Sequence, residues 1–286
     1  MWISKHIFIH DYQLIDTYLK DVLLPLADKE LSGSYFFIRY WDGGPHVRIR
    51  YKEKKNKTDN SFEYKLQWSL EQFRIENKNW DFKTVIDDER VENTEGKGSG
   101  ISHPNFSIQS IDYNPEYLRY GGQSVMNISE EIFKASSEFA SSIIQQVSRN
   151  KRYQIAFDVM YECGRLIEKM GLIQNLKQFY QDYFMVWIEF QNQPDFEQLK
   201  KALIKRAGQL ENKDTLKPYR PYLSFLEEKM NQIRKNQSVY KEHEIFYIAI
   251  SHMHMLNNRL GVSPDYEYIF SKILFDYYQE KVYQQI

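Results

Sequence analysis

Arginine is concentrated where it could hold an anion. Arg39, His46, Arg48 and Arg50 all fall in the stretch from Tyr35 to Tyr51. His46, Arg48 and Arg50 stand at alternate positions, so in an extended chain they point to one face, with Val47, Ile49 and Tyr51 on the other. Guanidinium groups gathered in this way bind carboxylates or phosphates through charge-assisted, often bidentate hydrogen bonds. Asp42-Gly43-Gly44-Pro45 interrupts the aromatic and β-branched run and predicts a hairpin. A four-residue loop over 42–45 pairs Trp41 with His46, Arg39 with Arg48, and Phe37 with Arg50. Arg39 then stands directly opposite Arg48, a repulsive pairing that an anion, from the protein or from a ligand, would relieve. The other reading is the solvated face of an edge hairpin.

Two further groups could take part. Pro115-Glu116-Tyr117-Leu118-Arg119-Tyr120-Gly121-Gly122 holds Glu116 and Arg119 at i and i+3, where they meet if a helical turn forms. They read as a surface ion pair, or as a further cation and carboxylate beside the hairpin. Near the C-terminus, Tyr247, Ser251, His254 and Asn258 form a polar stripe on a predicted helix, flanked by Ile248, Ile250, Met253 and Leu256. A polar stripe on a largely buried helix needs partners. His254 is therefore either a satisfied core histidine or a general base in a cleft. His252 and His254 look like a metal pair, but residues at i and i+2 diverge on a helix, and zinc ligands there stand at i, i+4. No metal is expected.

Composition narrows the function classes. The chain has 286 residues, 42% hydrophobic and 27% charged, with 22 Tyr and 18 Phe. The formal net charge of −1 leaves no global basic field, so no direct nucleic-acid partner is expected. Cys163 is the single cysteine, which excludes an intramolecular disulfide and thiolate metal sites. No apolar run approaches membrane-span length, and residues 1–6 lack a signal-peptide core. A cytoplasmic protein without a membrane partner is the expectation.

The elements that must position these residues change character along the chain. Residues 2–10, the hairpin, 80–87 and 107–113 read as strands; 11–29 and 61–76 read as helices. Residues 53–60 read as a charged loop, and the Gly-rich stretch 88–106 as a mobile surface loop able to close over a substrate. From about 124 the pattern is helix after helix: 124–148, 151–169, 173–191, 195–210, 216–236, 239–260 and 264–283. Ser263-Pro264-Asp265 is a helix start. The fold class is α+β: a mostly antiparallel N-terminal sheet with helices over 1–123, then a large all-helical portion over 124–286. With no linker between them, 1–286 is expected to pack as one compact domain.

Taken together, three separated motifs resemble one family. Gly44-Pro45-His46-Val47-Arg48-Ile49-Arg50, preceded by Phe37-Ile38-Arg39-Tyr40, is similar to its first signature. Pro115-Glu116 with Arg119-Tyr120-Gly121-Gly122 resembles the second, and His254-Met255 with Asn258-Arg259-Leu260 the third. The family is the C-terminal glutamate-elimination domain of class I lanthipeptide dehydratases, also called the thiopeptide-type bacteriocin biosynthesis domain. The likeness extends over nearly the whole chain.

The resemblance implies a lyase. A separate tRNA-dependent protein would esterify Ser or Thr side chains of a ribosomally made precursor peptide with glutamate. This chain would expel the glutamate and leave dehydroalanine or dehydrobutyrine. Arg48, Arg50 and Arg119 would hold the glutamyl group and the developing charge, His254 would move the proton, and Glu116 would orient Arg119 or share the proton transfer. Arg39, His46, Tyr120, Ser251 and Asn258 would contact substrate. No cofactor or metal is implied, and a homodimer is compatible. A related branch performs a 4+2 cycloaddition that closes the pyridine ring of thiopeptides; it tends to lose parts of the arginine and histidine set retained here. A non-catalytic subunit presenting the precursor peptide is a further alternative, as is an unrelated anion-binding enzyme.

Overall fold

The computed structural model describes residues 2–52, 62–82, 88–191, 196–236 and 242–284. The expected loop at 53–60 and residues 83–87 of the expected strand lie outside them; Trp80–Phe82 form no strand. The chain groups into two compact units: 1–115 with 133–148, and 116–132 with 149–286. Its architecture is α+β, with a small antiparallel sheet near the N-terminus and helices after it.

In the first unit, β1 (Ile3–Phe8) leads into α1 (Tyr12–Tyr18), a π-helical turn (Leu19–Leu23) and α2 (Leu24–Leu31). Asp11 caps α1 by accepting from the backbone N–H groups of Gln13 and Leu14 at 2.8 and 2.9 Å. The hairpin strands β2 (Tyr35–Tyr40) and β3 (His46–Tyr51) follow, then α3 (Phe62–Glu76), α4 (Glu89–Glu95) and β4 (Ser107–Ser110). Helix α4 replaces part of the expected 88–106 loop, because Asp88 caps it through the Arg90 N–H. The sheet order is β2-β3-β1-β4, antiparallel throughout.

One sheet face carries Ile7, Tyr35, Phe37, Val47, Ile49 and Tyr51, all buried. It forms the core with Leu14, Tyr18, Leu66 and Phe73, and Tyr51 meets Phe62 edge-on at 4.8 Å. The other face carries Ser4, His6, Phe8, Phe36, His46, Arg48 and Arg50.

Helix α5 (Met126–Gln146) is followed by the helices of the second unit: α6 (Arg149–Lys169), α7 (Leu176–Val186), α8 (Glu197–Leu210), α9 (Arg220–Asn236), α10 (Glu242–Leu260) and α11 (Pro264–Gln284). Two 3-10 turns, Ile188–Phe190 and Lys213–Tyr219, occupy ends of the expected longer helices. Helix α6 runs through the interior. Its Asp158 is fully buried and satisfied by Arg206 at 2.9 and 2.6 Å and by the Tyr219 hydroxyl at 3.0 Å.

Gly164 of α6 lets Tyr180 come close enough for its hydroxyl to donate to the carbonyls of Met160 and Tyr161. A Cβ at this position would lie 2.3 Å from the Tyr180 hydroxyl oxygen. Gly164→Ala should therefore cost about 1–3 kcal/mol through overpacking, despite alanine's better helix propensity. Urea unfolding measures it; a stabilised variant would contradict the close packing.

Candidate active-site groups

The hairpin loop is one residue longer than expected. Tyr40 pairs with His46, Ile38 with Arg48, and Phe36 with Arg50. Trp41 to Pro45 form the turn, with Gly43 and Gly44 at positive φ and the Gly44 N–H bonded to the Trp41 carbonyl. The expected pairing of Arg39 with Arg48 is thus corrected. A one-residue slip moves every β2 side chain to the other face. Arg39 pairs with Val47 on the helix-packed face and reaches Asp16 of α1 at 2.7 Å. The repulsion between Arg39 and Arg48 does not arise.

Arg48 and Arg50 do share the second face with His46, as their spacing requires. Arg48 lies over the Tyr40 ring, 3.4 Å from its centroid. Arg50 lies 4.7 Å from the ring of Tyr113 and 5.6 Å from that of Phe36. Aromatic faces of this kind attract and orient a guanidinium. His46 donates from Nδ1 to the Gly44 carbonyl at 2.8 Å and accepts at Nε2 from Arg48 Nε at 3.1 Å, which fixes a neutral tautomer.

His6 of β1, which the motifs did not single out, stacks on His46 at 5.0 Å. Burial, then the charge of Arg48, lowers its pKa to about 2. Burial first, with Arg48 adding to it, lowers His46 to about 3. The face therefore presents fixed guanidinium charges among neutral imidazoles.

The Gly-rich segment lies against the hairpin turn. Asp42 accepts from the backbone N–H and hydroxyl of Ser99 at 2.7 and 2.9 Å, and the His103 N–H donates to the Gly43 carbonyl at 3.0 Å. A side chain at Gly43 would meet the Ile101 carbonyl at 2.7 Å.

In the second unit, the turn after Pro115 brings Arg119 Nη1 to 3.4 Å from Glu116 Oε2. Arg119 Nε also reaches Ser251 of α10 at 3.3 Å. Glu116 is 61% exposed in its side chain, so the pair is a weak one. Tyr120 is buried, its ring 5.1 Å from His252.

The two histidines of α10 diverge as helix geometry demands. His252 lies beside Tyr120; burial, then Arg259 and Arg119, lowers its pKa to about 3. His254 follows Ser251 on the polar stripe, and its Nδ1 lies 2.7 Å from Glu267 Oε1 on α11. The Trp187 ring packs on it at 4.9 Å. The sequence motifs do not single out Glu267, Asn257, Tyr183 or Trp187. Asn258 lies on the same stripe and its carbonyl accepts from the Gly261 N–H. Among the described residues, no group of three His, Cys, Asp or Glu side chains is placed to hold a metal. No described helix is long and apolar enough to cross a membrane.

The buried neutral imidazoles make stability depend on pH. His6, His46 and His252 stay unprotonated when folded, but would titrate near 6.5 when unfolded. Below that pH the unfolded chain binds more protons, so their contribution is complete above about 6.5 and is lost as pH falls toward 3. Between about pH 6 and 5, before most carboxylates titrate, each should remove roughly 1 kcal/mol of stability. Urea midpoints across that window measure the slope, and His6→Gln should flatten it. A pH-independent midpoint would contradict neutral burial.

The fold recurs in solved structures. The pyridine synthase TbtD from thiomuracin biosynthesis superposes with a TM-score of 0.68 at 15% identity, over 96% of this chain and 97% of that one. TsrL gives 0.69 at 14% identity, over 99% and 95%. The tRNA-dependent lantibiotic dehydratase MibB from Microbispora sp. 107891 gives 0.58 at 17% identity. That match covers 99% of this chain but 28% of MibB. No curated protein matches the sequence.

The sequence model described as lantibiotic biosynthesis dehydratase C-term matches residues 2–278. The chain belongs to that family, and membership places it in the enzymatic maturation of ribosomally made peptides.

Proposed function

We propose that this protein eliminates glutamate from glutamylated Ser or Thr side chains of a precursor peptide, leaving dehydroalanine or dehydrobutyrine. The observation that carries the reading is the cationic face of β3, where Arg48 and Arg50 stand among neutral imidazoles and aromatic rings. Released glutamate carries two carboxylates, and the reaction passes through an enolate-like state. Fixed guanidinium groups suit both.

His254 Nε2 takes the α-proton of the esterified residue. The electron pair of that C–H bond forms the Cα–Cβ double bond, the Cβ–O bond breaks, and glutamate leaves as a carboxylate. Arg48, Arg50 and Arg119 are assigned to the glutamyl group and the developing charge. Glu116 orients Arg119, Ser251 and Asn258 line the substrate's path, and the buried His46 and Tyr120 support Arg48 and His252 from behind. Arg39, turned to the other face, has no part in this scheme. The ester would come from a tRNA-dependent glutamylation activity.

The test supplies a synthetic glutamylated peptide, without tRNA, and follows mass and free glutamate. Elimination should appear as glutamate release matched by a dehydro residue. A wild-type protein that binds the cognate peptide yet releases no glutamate would overturn the reading. The likeness to a pyridine synthase over 97% of that chain favours a second reading, ring closure on an already dehydrated peptide. Formation of a pyridine from such a peptide would assign it.

A further inference from the structure

Helix α10 ends at Gly261, whose φ of 79° lets its N–H and that of Val262 bond back to the carbonyls of Asn258 and Asn257. Pro264 starts α11 directly afterwards. This tight connection returns Glu267, in the first turn of α11, alongside His254. The Glu267 side chain is wholly buried. Its Oε1 lies 2.7 Å from His254 Nδ1, and its Oε2 accepts from Tyr183 Oη at 2.5 Å and Asn257 Nδ2 at 3.1 Å. Three donors thus converge on one carboxylate, near the favourable end of a helix dipole. Trp187 flanks the imidazole. His254 is 8% exposed, so it is held by the interior while keeping some access.

We infer that Glu267 is a positioning residue: it holds His254 as the Nδ1–H tautomer, so that Nε2 carries the lone pair that accepts the substrate proton. Tyr183 and Asn257 hold Glu267 in turn. The inference deepens the elimination reading and rests on it for the role of His254. The arrangement is a base oriented by a third group, and it gains force because a carboxylate on Nδ1 also stabilises the imidazolium formed on proton transfer.

The experiment uses the full chain with nitrogen-15-labelled histidine, as wild type, Glu267→Gln, Glu267→Asp and Tyr183→Phe. Glutamate release from the synthetic glutamylated peptide is measured against pH, alongside the His254 ring-nitrogen shifts. The wild type should show Nδ1–H at neutral pH. Glu267→Gln should lower kcat roughly 10²–10⁴-fold with little change in KM. Its acid limb should move to lower pH, because the imidazolium has lost its carboxylate. Glu267→Asp should recover part of the rate.

Wild-type turnover, pH limb and tautomer in Glu267→Gln would overturn the inference, as would an Nε2–H tautomer in the wild type. If Glu267→Gln does not fold, Tyr183→Phe decides: a lowered kcat with a shifted limb supports the inference and an unmoved limb refutes it. If the wild type releases no glutamate, the elimination reading falls alone. The ring-nitrogen shifts of wild type and Glu267→Asp then decide whether Glu267 sets the tautomer.

Discussion

Arg50→Ala should release glutamate from a glutamylated peptide about 10²–10³ times more slowly than the wild type, while still binding the peptide. Arg50 is 9% exposed and lies against Tyr113 and Phe36, so its planar group is oriented before substrate arrives. A guanidinium fixed in that way needs little reorganisation as charge develops, which is why losing it falls on kcat. Arg50→Lys should recover little, because a flexible ammonium cannot reproduce a stacked, bidentate donor.

Arg39→Ala is the matched control. Its partner Asp16 lies on the helix-packed side of the sheet, so it should lower stability and leave turnover nearly intact. Equal rate losses in the two variants would mean that the two sheet faces have been assigned wrongly.

His254→Ala should lose about 10²–10⁴ in rate and accumulate glutamylated peptide, whereas His252→Ala should turn over and melt at a lower temperature. Their surroundings separate the two imidazoles. His252 is buried beside Tyr120, with a pKa lowered to about 3. An imidazole that weak accepts a proton poorly near neutral pH, because base strength follows pKa. His254 has a carboxylate on Nδ1 to support the charge it acquires. Mass spectrometry of the peptide distinguishes the outcomes; stalled elimination in His252→Ala with full activity in His254→Ala would exchange their roles.

Local patterns carried much of this to the sequence level. Alternation in His46-Val47-Arg48-Ile49-Arg50 was enough to place both arginines on one face. The helix-after-helix pattern from about residue 124 and the Ser263-Pro264-Asp265 start were enough for most of the helical half. The β2 register was not legible, because it depends on whether Trp41 joins the strand or the turn, and Gly43 and Gly44 permit either. The Arg39–Asp16 pair was hidden for the same reason, with long sequence separation added. Glu267 was missed because an acidic residue in the first turn of a helix is ordinary. Its partner becomes apparent only when the Gly261 turn is seen to fold α11 back on α10. A histidine followed, across a Gly and Pro helix junction, by an early glutamate is the signal that could have found it.

Helix α5 bears on how the gene can be divided. Strand β2 is an edge of the sheet of described strands, and the Phe37 N–H donates to Ser137 Oγ of α5 at 3.1 Å. Phe133 packs on Phe36 at 5.4 Å, and Ser141 and Gln145 bind the Asp28 carboxylate. An expression fragment cut at residue 115 would keep the whole sheet yet strip this cover. Its bare edge would then be a template for intermolecular strand pairing, so inclusion bodies are the expected fate of such a fragment. A fragment carried through residue 148 would retain the cover.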